Sequence, residues 1–527
     1  MATRTVRRLA AAVTTAALLA AGCTSSTANR PEAVDIAEGE PAPTASVDDP
    51  ATAFEGGDGP GDEVGPGTAT GDGGATATGG SSDGTQATSG TTGGTDGSST
   101  ATTGDGGTDA GAATGDATTD GSTGEPAPAA PIKIGAVIPT GDPGAAFGVE
   151  GGENDAGALE RVVRAVAERI NETGGLAGRQ IELVVEGVDN TDQNQDNQIR
   201  THTEACIKMT EDHKVFMVLD FGATFWAQAC YVEHRTPLLS LGVANREESM
   251  RDFRPWLLPT FGINEDRNAR LVVRALEEQG RATTKMGLIS FDHPDTKKPA
   301  KQWIVPGVAS IGGEVIEEVY LPITYADLAA GLANAVLKFK QRGIDNVIVW
   351  GCCGGGIWLL FAESAEGADY HPAYTISTYD GAGLLVPLLP EGQRNDIAGH
   401  GWSEALDIMS KDQSPLNERE AACLEDVNQR LGTDYDDRTD GTTSAALAAC
   451  DEFGVTQVAL RPATGRTLTV EDVAPLFYDV GDYLPTRFPG ANFNATSFDA
   501  LSSYRLMEYG QDCGCMRYTS EVRRFPW

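Results

Sequence analysis

Basic residues are scarce in this chain, and over its first quarter they are nearly missing. Across 527 residues there are 39 Lys and Arg against 76 Asp and Glu. That balance leaves nucleic acid and anionic membrane surfaces without the cationic face they need, so neither is an expected partner. Between Thr24 and Ala130, 18 acidic residues face the single Arg30, and Phe54 is the one aromatic. Such a stretch cannot bury enough apolar surface to offset the entropy of ordering it. Its Gly, Ser, Thr, Ala and Asp runs, as in Thr95 to Thr103 and Gly111 to Thr123, read as a self-repelling, disordered tether over residues 24–130. A coil of that length has a root-mean-square span of roughly 55 to 60 Å.

Catalytic and metal signatures are lacking as well. From residue 131 onward there is no Gly-x-Ser-x-Gly and no Ser-x-x-Lys, and the six His show neither His-x-His nor His-Glu-x-x-His spacing. The match Gly80-Ser81-Ser82-Asp83-Gly84 falls in the tether, where no strand-to-helix elbow can form. Gly354-Gly355-Gly356 lacks the Gly-Lys-Ser/Thr ending of a phosphate loop and reads as a turn. No enzyme, metal site or cofactor is expected, although an envelope enzyme stays open to a turnover assay.

Long hydrophobic runs are also short. The stretch from Leu9 to Ala21 cannot span a bilayer; behind Arg4, Arg7 and Arg8 and ahead of Gly22-Cys23 it has the layout of a cleaved export signal over residues 1–23. The ending Leu19-Ala20-Ala21-Gly22-Cys23 resembles a bacterial lipobox, with Ala20 where Leu is usual. The resemblance implies cleavage before Cys23, lipidation of its thiol and a membrane-anchored protein on the extracytoplasmic face. Ordinary secretion, with Cys23 incidental, is the alternative.

Residues 131–527 hold the ordered elements. Apolar β-branched runs recur at Ile132 to Ile138, Gln180 to Val188, Lys214 to Leu219, Pro237 to Val243, Lys285 to Phe291, Val315 to Leu321, Asn346 to Trp350 and Tyr374 to Thr378. They read as short buried strands. Between them lie amphipathic stretches such as Asp155 to Asn171, where Leu159, Val162, Val163, Val166, Ala167 and Ile170 share one helical face. Strict alternation of strand and helix predicts right-handed βαβ units, parallel sheets and an α/β class. Such sheets bind ligands outside the carboxyl ends of their strands. The loop Asp220 to Trp226 opens a helix there, offering backbone amides at Ala223 and the Thr224 hydroxyl to a carboxylate between Phe221 and Phe225. For Phe147, Phe221, Phe225 and Trp226 core packing is the plainer alternative.

Three segments carry a resemblance to type I periplasmic binding proteins of the branched-chain amino acid (Leu/Ile/Val) ABC transporter family. They are Ile132 to Pro139 with the following Gly-rich loop to Phe147-Gly148, then Asn171-Glu172-Thr173-Gly174-Gly175-Leu176-Ala177-Gly178-Arg179, and Thr236-Pro237-Leu238-Leu239-Ser240. The resemblance implies two Rossmann-like parallel-sheet lobes joined by hinge crossovers. Lobe 1 would run over about 132–258 plus about 399–500 and lobe 2 over about 259–380, with a terminal hairpin at 503–520 unplaced. It also implies a small polar ligand, an amino acid, amide or similar, held in the cleft and handed to a membrane ABC permease. A sensory role for the same domain is the alternative. Ligand contacts would come from Thr140, Phe147, Phe221, Ala223, Thr224, His293, Tyr379 and Asp380, with Asp380 facing an ammonium or else forming an Asx turn before Gly381. Of the eight cysteines other than Cys23, the resemblance implies a Cys206–Cys230 link, and Cys423 and Cys450 stand on adjacent helices. For Cys352, Cys353, Cys513 and Cys515, cross-links, local bridges and metal binding all stay open.

Overall fold

The computed structural model describes residues 130–140, 156–189, 195–222, 224–240, 245–260, 262–322, 325–351, 354–408, 414–438 and 441–525. The expected export segment with Cys23, the expected tether up to residue 129, Phe147, Ala223 and the Cys352-Cys353 pair lie outside them.

The first lobe begins with β1 (Ile132–Thr140), α1 (Ala156–Glu172), β2 (Ile181–Asp189), α2 (Gln195–Ile207), β3 (Met217–Asp220), α3 (Gln228–Glu233), β4 (Leu238–Ser240), α4 (Glu247–Phe253) and β5 (Leu257–Pro259). Its five strands lie in the order β2-β1-β3-β4-β5, parallel throughout. Successive side chains of a strand face opposite ways. Ile132, Ile134, Ala136 and Ile138 accordingly meet Val162, Val163, Val166 and Ile170 of α1, while Val137 joins Cys206, Met209 and Tyr231 on the other side.

The turn from α1 into β2 explains why its sequence is glycine-rich. Asn171 clamps the start of β2, accepting from the Ile181 amide at 2.6 Å and donating to the Ile181 carbonyl at 3.1 Å. Gly175, at φ +72°, sits so close to the chain that a Cβ would lie 1.9 Å from the Arg179 carbonyl oxygen. No side chain fits there.

The second lobe holds α5 (Glu265–Glu278), β6 (Met286–Phe291), α6 (Pro294–Pro299), β7 (Val315–Leu321), α7 (Tyr325–Arg342), β8 (Asn346–Val349), α8 (Gly354–Gly367), β9 (Ala373–Ser377) and β10 (Ile397–Gly401). Its parallel strands run β7-β6-β8-β9-β10, so each lobe repeats one winding, with the first strand between the second and third. Ala269, Val272 and Leu276 of α5 pack on Met286, Leu288 and Ile348, while α7 and α8 cover the opposite face with Phe339, Trp358 and Phe361.

The chain then returns through α9 (Glu418–Leu431) and α10 (Gly441–Leu460), whose Val427, Ala446 and Phe453 share the core of α1. A small antiparallel pair comes next, β11 (Gly481–Tyr483) with β12 (Ala491–Phe493). Finally β13 (Ser503–Gly510), β14 (Cys515–Tyr518) and β15 (Arg523–Arg524) close the chain. β13 pairs antiparallel with β10, and β14 and β15 pair with β13. The second sheet thus runs past the sequence-expected boundary at Asp380, taking in β10 and the terminal hairpin. Disulfides join Cys206 of α2 to Cys230 of α3 and Cys423 of α9 to Cys450 of α10. Cys513 and Cys515 close the β13–β14 turn locally, one of the alternatives left open by the sequence.

Candidate functional site

In an open parallel sheet the crevice for a ligand lies where the strand order reverses, outside the carboxyl ends of the two strands on either side. Here those strands are β1 and β3 in one lobe, β6 and β8 in the other. Thr140 ends β1, half-buried, opposite Asp189. Asp220 ends β3 and organises the turn after it. Its Oδ1 accepts from the Gly222 amide at 2.9 Å and the Thr224 amide at 3.1 Å, and its Oδ2 accepts from Ser240 Oγ at 2.9 Å.

This Asx-type turn presses Phe221 into the core and leaves the Thr224 hydroxyl 1% exposed with no partner among the described residues. A buried hydroxyl without a partner costs roughly 1–3 kcal/mol, which a ligand acceptor or donor would recover. Behind it lies a second tier. Thr260 Oγ1 reaches the Ser240 carbonyl at 3.0 Å and the Glu452 carboxyl of α10. Burial pushes Glu452 up to about 8, so near neutrality it is held protonated and can supply the proton for that contact.

In the second lobe Ser290 Oγ, near the end of β6, is buried and unpartnered among the described residues. His293 is half-buried and caps α6, its Nδ1 accepting from the Asp295 amide at 3.2 Å, and burial holds its pKa below the usual value. Ser249 of α4 donates to Asp295 at 3.4 Å, a contact between the lobes.

Tyr379 and Asp380 stand in the hinge. The Tyr379 hydroxyl accepts from the Ile263 amide at 3.0 Å and donates to the Ile263 carbonyl at 2.5 Å, and its ring meets Trp402 edge-on at 5.0 Å. It ties two crossing segments together. Asp380 closes a capping box, its Oδ2 accepting from the Ser377 amide at 2.6 Å and Ser377 Oγ at 3.2 Å. Burial, with nearby Asp407 adding to it, pushes its carboxyl up to about 8, which removes most of the charge an ammonium would seek at pH 7. Asp380→Ala is therefore expected to cost about 1–2 kcal/mol through the lost cap, most of it recovered by Asp380→Asn. Urea unfolding of the two variants checks this.

The structure buries Thr224, a candidate from the strand-end rule, in the turn after β3; Ser240, Thr260 and Glu452 stand behind it and were not among the sequence candidates. Ser240 is itself the last residue of β4 and answers to the same rule; Glu452, midway along a helix, carries no local signal.

Two doubly wound lobes whose switch points carry buried hydroxyls without partners among the described residues define a two-lobed α/β fold. The chain belongs to the periplasmic binding protein family, whose model matches residues 131–451. Solved structures of similar fold include a solute-binding protein of an ABC transporter from R. palustris in complex with 4-hydroxybenzoate. It is 17% identical, with a TM-score of 0.55 over 75% of this chain and 97% of that one. A leucine-binding protein from Thermotoga maritima is 14% identical, with a TM-score of 0.52 over 75% of this chain and 99% of that one. Among curated protein sequences none matches this chain. Among the described residues no helix is long and apolar enough to cross a membrane.

Proposed function

We propose that this chain captures a small polar solute between its lobes and delivers it to a membrane ABC permease, held to the extracytoplasmic face by lipid on Cys23. The observation that carries the reading is the Thr224 hydroxyl, buried without a described partner at the first lobe's switch point. Family membership and the ligands named for the similar structures, 4-hydroxybenzoate among them, support it. Amino acids, amides and aromatic acids are all candidate solutes. Asp380 holds its cap through Oδ2, and burial raises its pKa to about 8, which favours ligands recognised through a carboxylate or carbonyl over cationic ones.

The test is a thermal-shift screen of the full chain against amino acids, amides, small peptides and aromatic acids. A ligand that binds only the native state stabilises it by about 2.7 kcal/mol at a hundredfold excess over Kd. Thr224→Val is expected to weaken the hit about tenfold, the worth of one buried hydrogen bond. An unchanged affinity would take Thr224 out of the site, and silence across the whole panel would overturn solute capture.

A further inference from the structure

The disulfides among the described residues differ in what they hold together. Cys206–Cys230 and Cys423–Cys450 each join two helices, at sequence separations of 24 and 27. Cys513–Cys515 has a separation of 2, with its Cα atoms 5.2 Å apart, and lies in the turn between β13 and β14. A bridge stabilises a fold chiefly by restricting the unfolded chain, and the gain shrinks with the loop it closes. This loop is the shortest of the three. The turn is also held without it: the ladder pairs Met507 with Tyr518 at one end and Gly510 with Cys515 at the other, and Gln511 Nε2 donates to the Asn395 carbonyl at 3.3 Å. Coupling free energies are reciprocal, so a fold that gains little from a bridge protects that bridge little against reduction.

Access points the same way. Cys513 and Gly514 are exposed and Cys515 is half-buried, whereas Cys206, Cys423 and Cys450 lie in the cores of the first lobe. Exposed bridges are the ones that exchange with thiols. Arg517 is nearby, but Glu508 and Asp512 each accept from it at 2.9 Å, so reactivity here rests on loop size and access and not on a cation. Through Gln511 the turn touches Asn395, at the amino end of β10. The ligand crevice of such a sheet lies at the opposite, carboxyl ends of its strands.

We propose that Cys513–Cys515 is a redox-active disulfide that takes two electrons from a dithiol, a partner carrying two neighbouring thiols. A partner thiolate attacks Cys513 Sγ, the exposed sulfur; the bridge breaks, its electron pair leaves on Cys515 Sγ, and that sulfur takes a proton. A partner with one thiol is expelled again, because Cys515 stands beside the mixed disulfide and attacks it. A second partner thiolate instead attacks the partner's own sulfur and releases Cys513 as a thiol. The partner ends as a disulfide and this chain ends with two thiols.

The test incubates the full chain with a reduced Cys-Gly-Gly-Cys peptide and, separately, with buffers of reduced and oxidised dithiothreitol. Free thiols are alkylated, and the tryptic fragment Leu506–Arg517, which holds only these two cysteines, is read by mass spectrometry. The peptide is expected to become oxidised while the fragment gains two alkyl groups. Half-reduction is expected at a ratio of reduced to oxidised dithiothreitol about tenfold or more below that for Cys206–Cys230, as the difference in loop length implies. Cys513→Ser combined with Cys515→Ser is expected to abolish oxidation of the peptide and to shift Tm by no more than about 2 °C, since the ladder holds the turn. The proposal is overturned if the peptide stays reduced, if the double variant oxidises it as fast as the parent, or if Cys513–Cys515 is reduced only together with the interhelix bridges.

Discussion

Arg438→Met is expected to destabilise the folded domain by about 3–5 kcal/mol, the cost of breaking a buried ion pair from one side. The guanidinium is 1% exposed and holds four partners at once. Nη1 donates to Glu404 and to Ser414 Oγ, both at 2.7 Å; Nη2 donates to the Pro415 carbonyl at 2.9 Å and to the Glu420 carboxylate. Glu404 lies just past the hinge crossing and is held from the other side by Arg505 at 2.9 Å. Glu420 belongs to the capping box that starts α9, accepting from the Asn417 amide at 2.8 Å. Arg438 therefore pins the returning helices of the first lobe to the segment that leaves the second. Methionine fills much of the volume but leaves the Glu420 carboxyl buried without its cation, where ionisation is costly. Adding Glu420→Gln to Arg438→Met removes that carboxyl and is expected to recover a good part of the loss. Urea midpoints of the parent, the single and the double variant decide the matter. A single variant within 1 kcal/mol of the parent, or a double no better than the single, would sink the account.

The two lobes were legible because their strands are buried on both faces, which forces continuous β-branched runs such as Ile132 to Ile138 and Asn346 to Trp350. Helix α1 was legible because its one buried face repeats at helical spacing. Strand β10 was not. Its sequence, Ile397-Ala398-Gly399-His400-Gly401, has little apolar character, and its glycines answer to neighbours far along the chain. A Cβ on Gly399 would lie 1.8 Å from the Ile376 carbonyl oxygen, and one on Gly401 would lie 2.1 Å from Asp407 Oδ2. The segment consequently read as a crossing. The terminal hairpin was readable as a hairpin but not as the edge of the second sheet, since β13 meets β10 across a hundred residues of chain. The site divides in the same way. Thr224 follows from a local rule about loops after strands, whereas Glu452 stands behind the candidate site only because α10 brings it to Thr260, just past β5. Asp380 was open to two readings from sequence, a ligand partner and a local turn, and its bonds to Ser377 are local.

Raising the pH is expected to lower the melting temperature of the chain, most steeply between about pH 6.5 and 8. Burial pushes three carboxyls up, Asp380 to about 8, Asp407 to about 7 and Glu452 to about 8. In the unfolded chain such groups ionise near pH 4. The native state thus binds more protons than the unfolded state across this window. The stability they contribute is fully present below about pH 4 and is lost as pH rises through the folded values. Three histidines act in the opposite sense. Burial lowers His202 and His400 to about 3 and holds His293 below its usual value, so the fold favours them neutral, and that contribution is lost as pH falls below their ordinary value near 6.5. Between about pH 4 and 6.5 the two sets oppose each other. Above 6.5 the opposing histidine contribution fades, gone by about pH 7.5, and the carboxyls dominate, each by at most about 1.4 kcal/mol per pH unit. Glu452→Gln keeps the shape and the hydrogen-bond donor toward Thr260 but removes one titration, so it is expected to flatten the upper limb. Melting curves from pH 5 to 8.5 for parent and variant measure this. A parent whose stability is flat or rises from 6.5 to 8 would show that these carboxyls are ionised in the fold, and the proton assigned to the Thr260–Glu452 contact would have to be withdrawn.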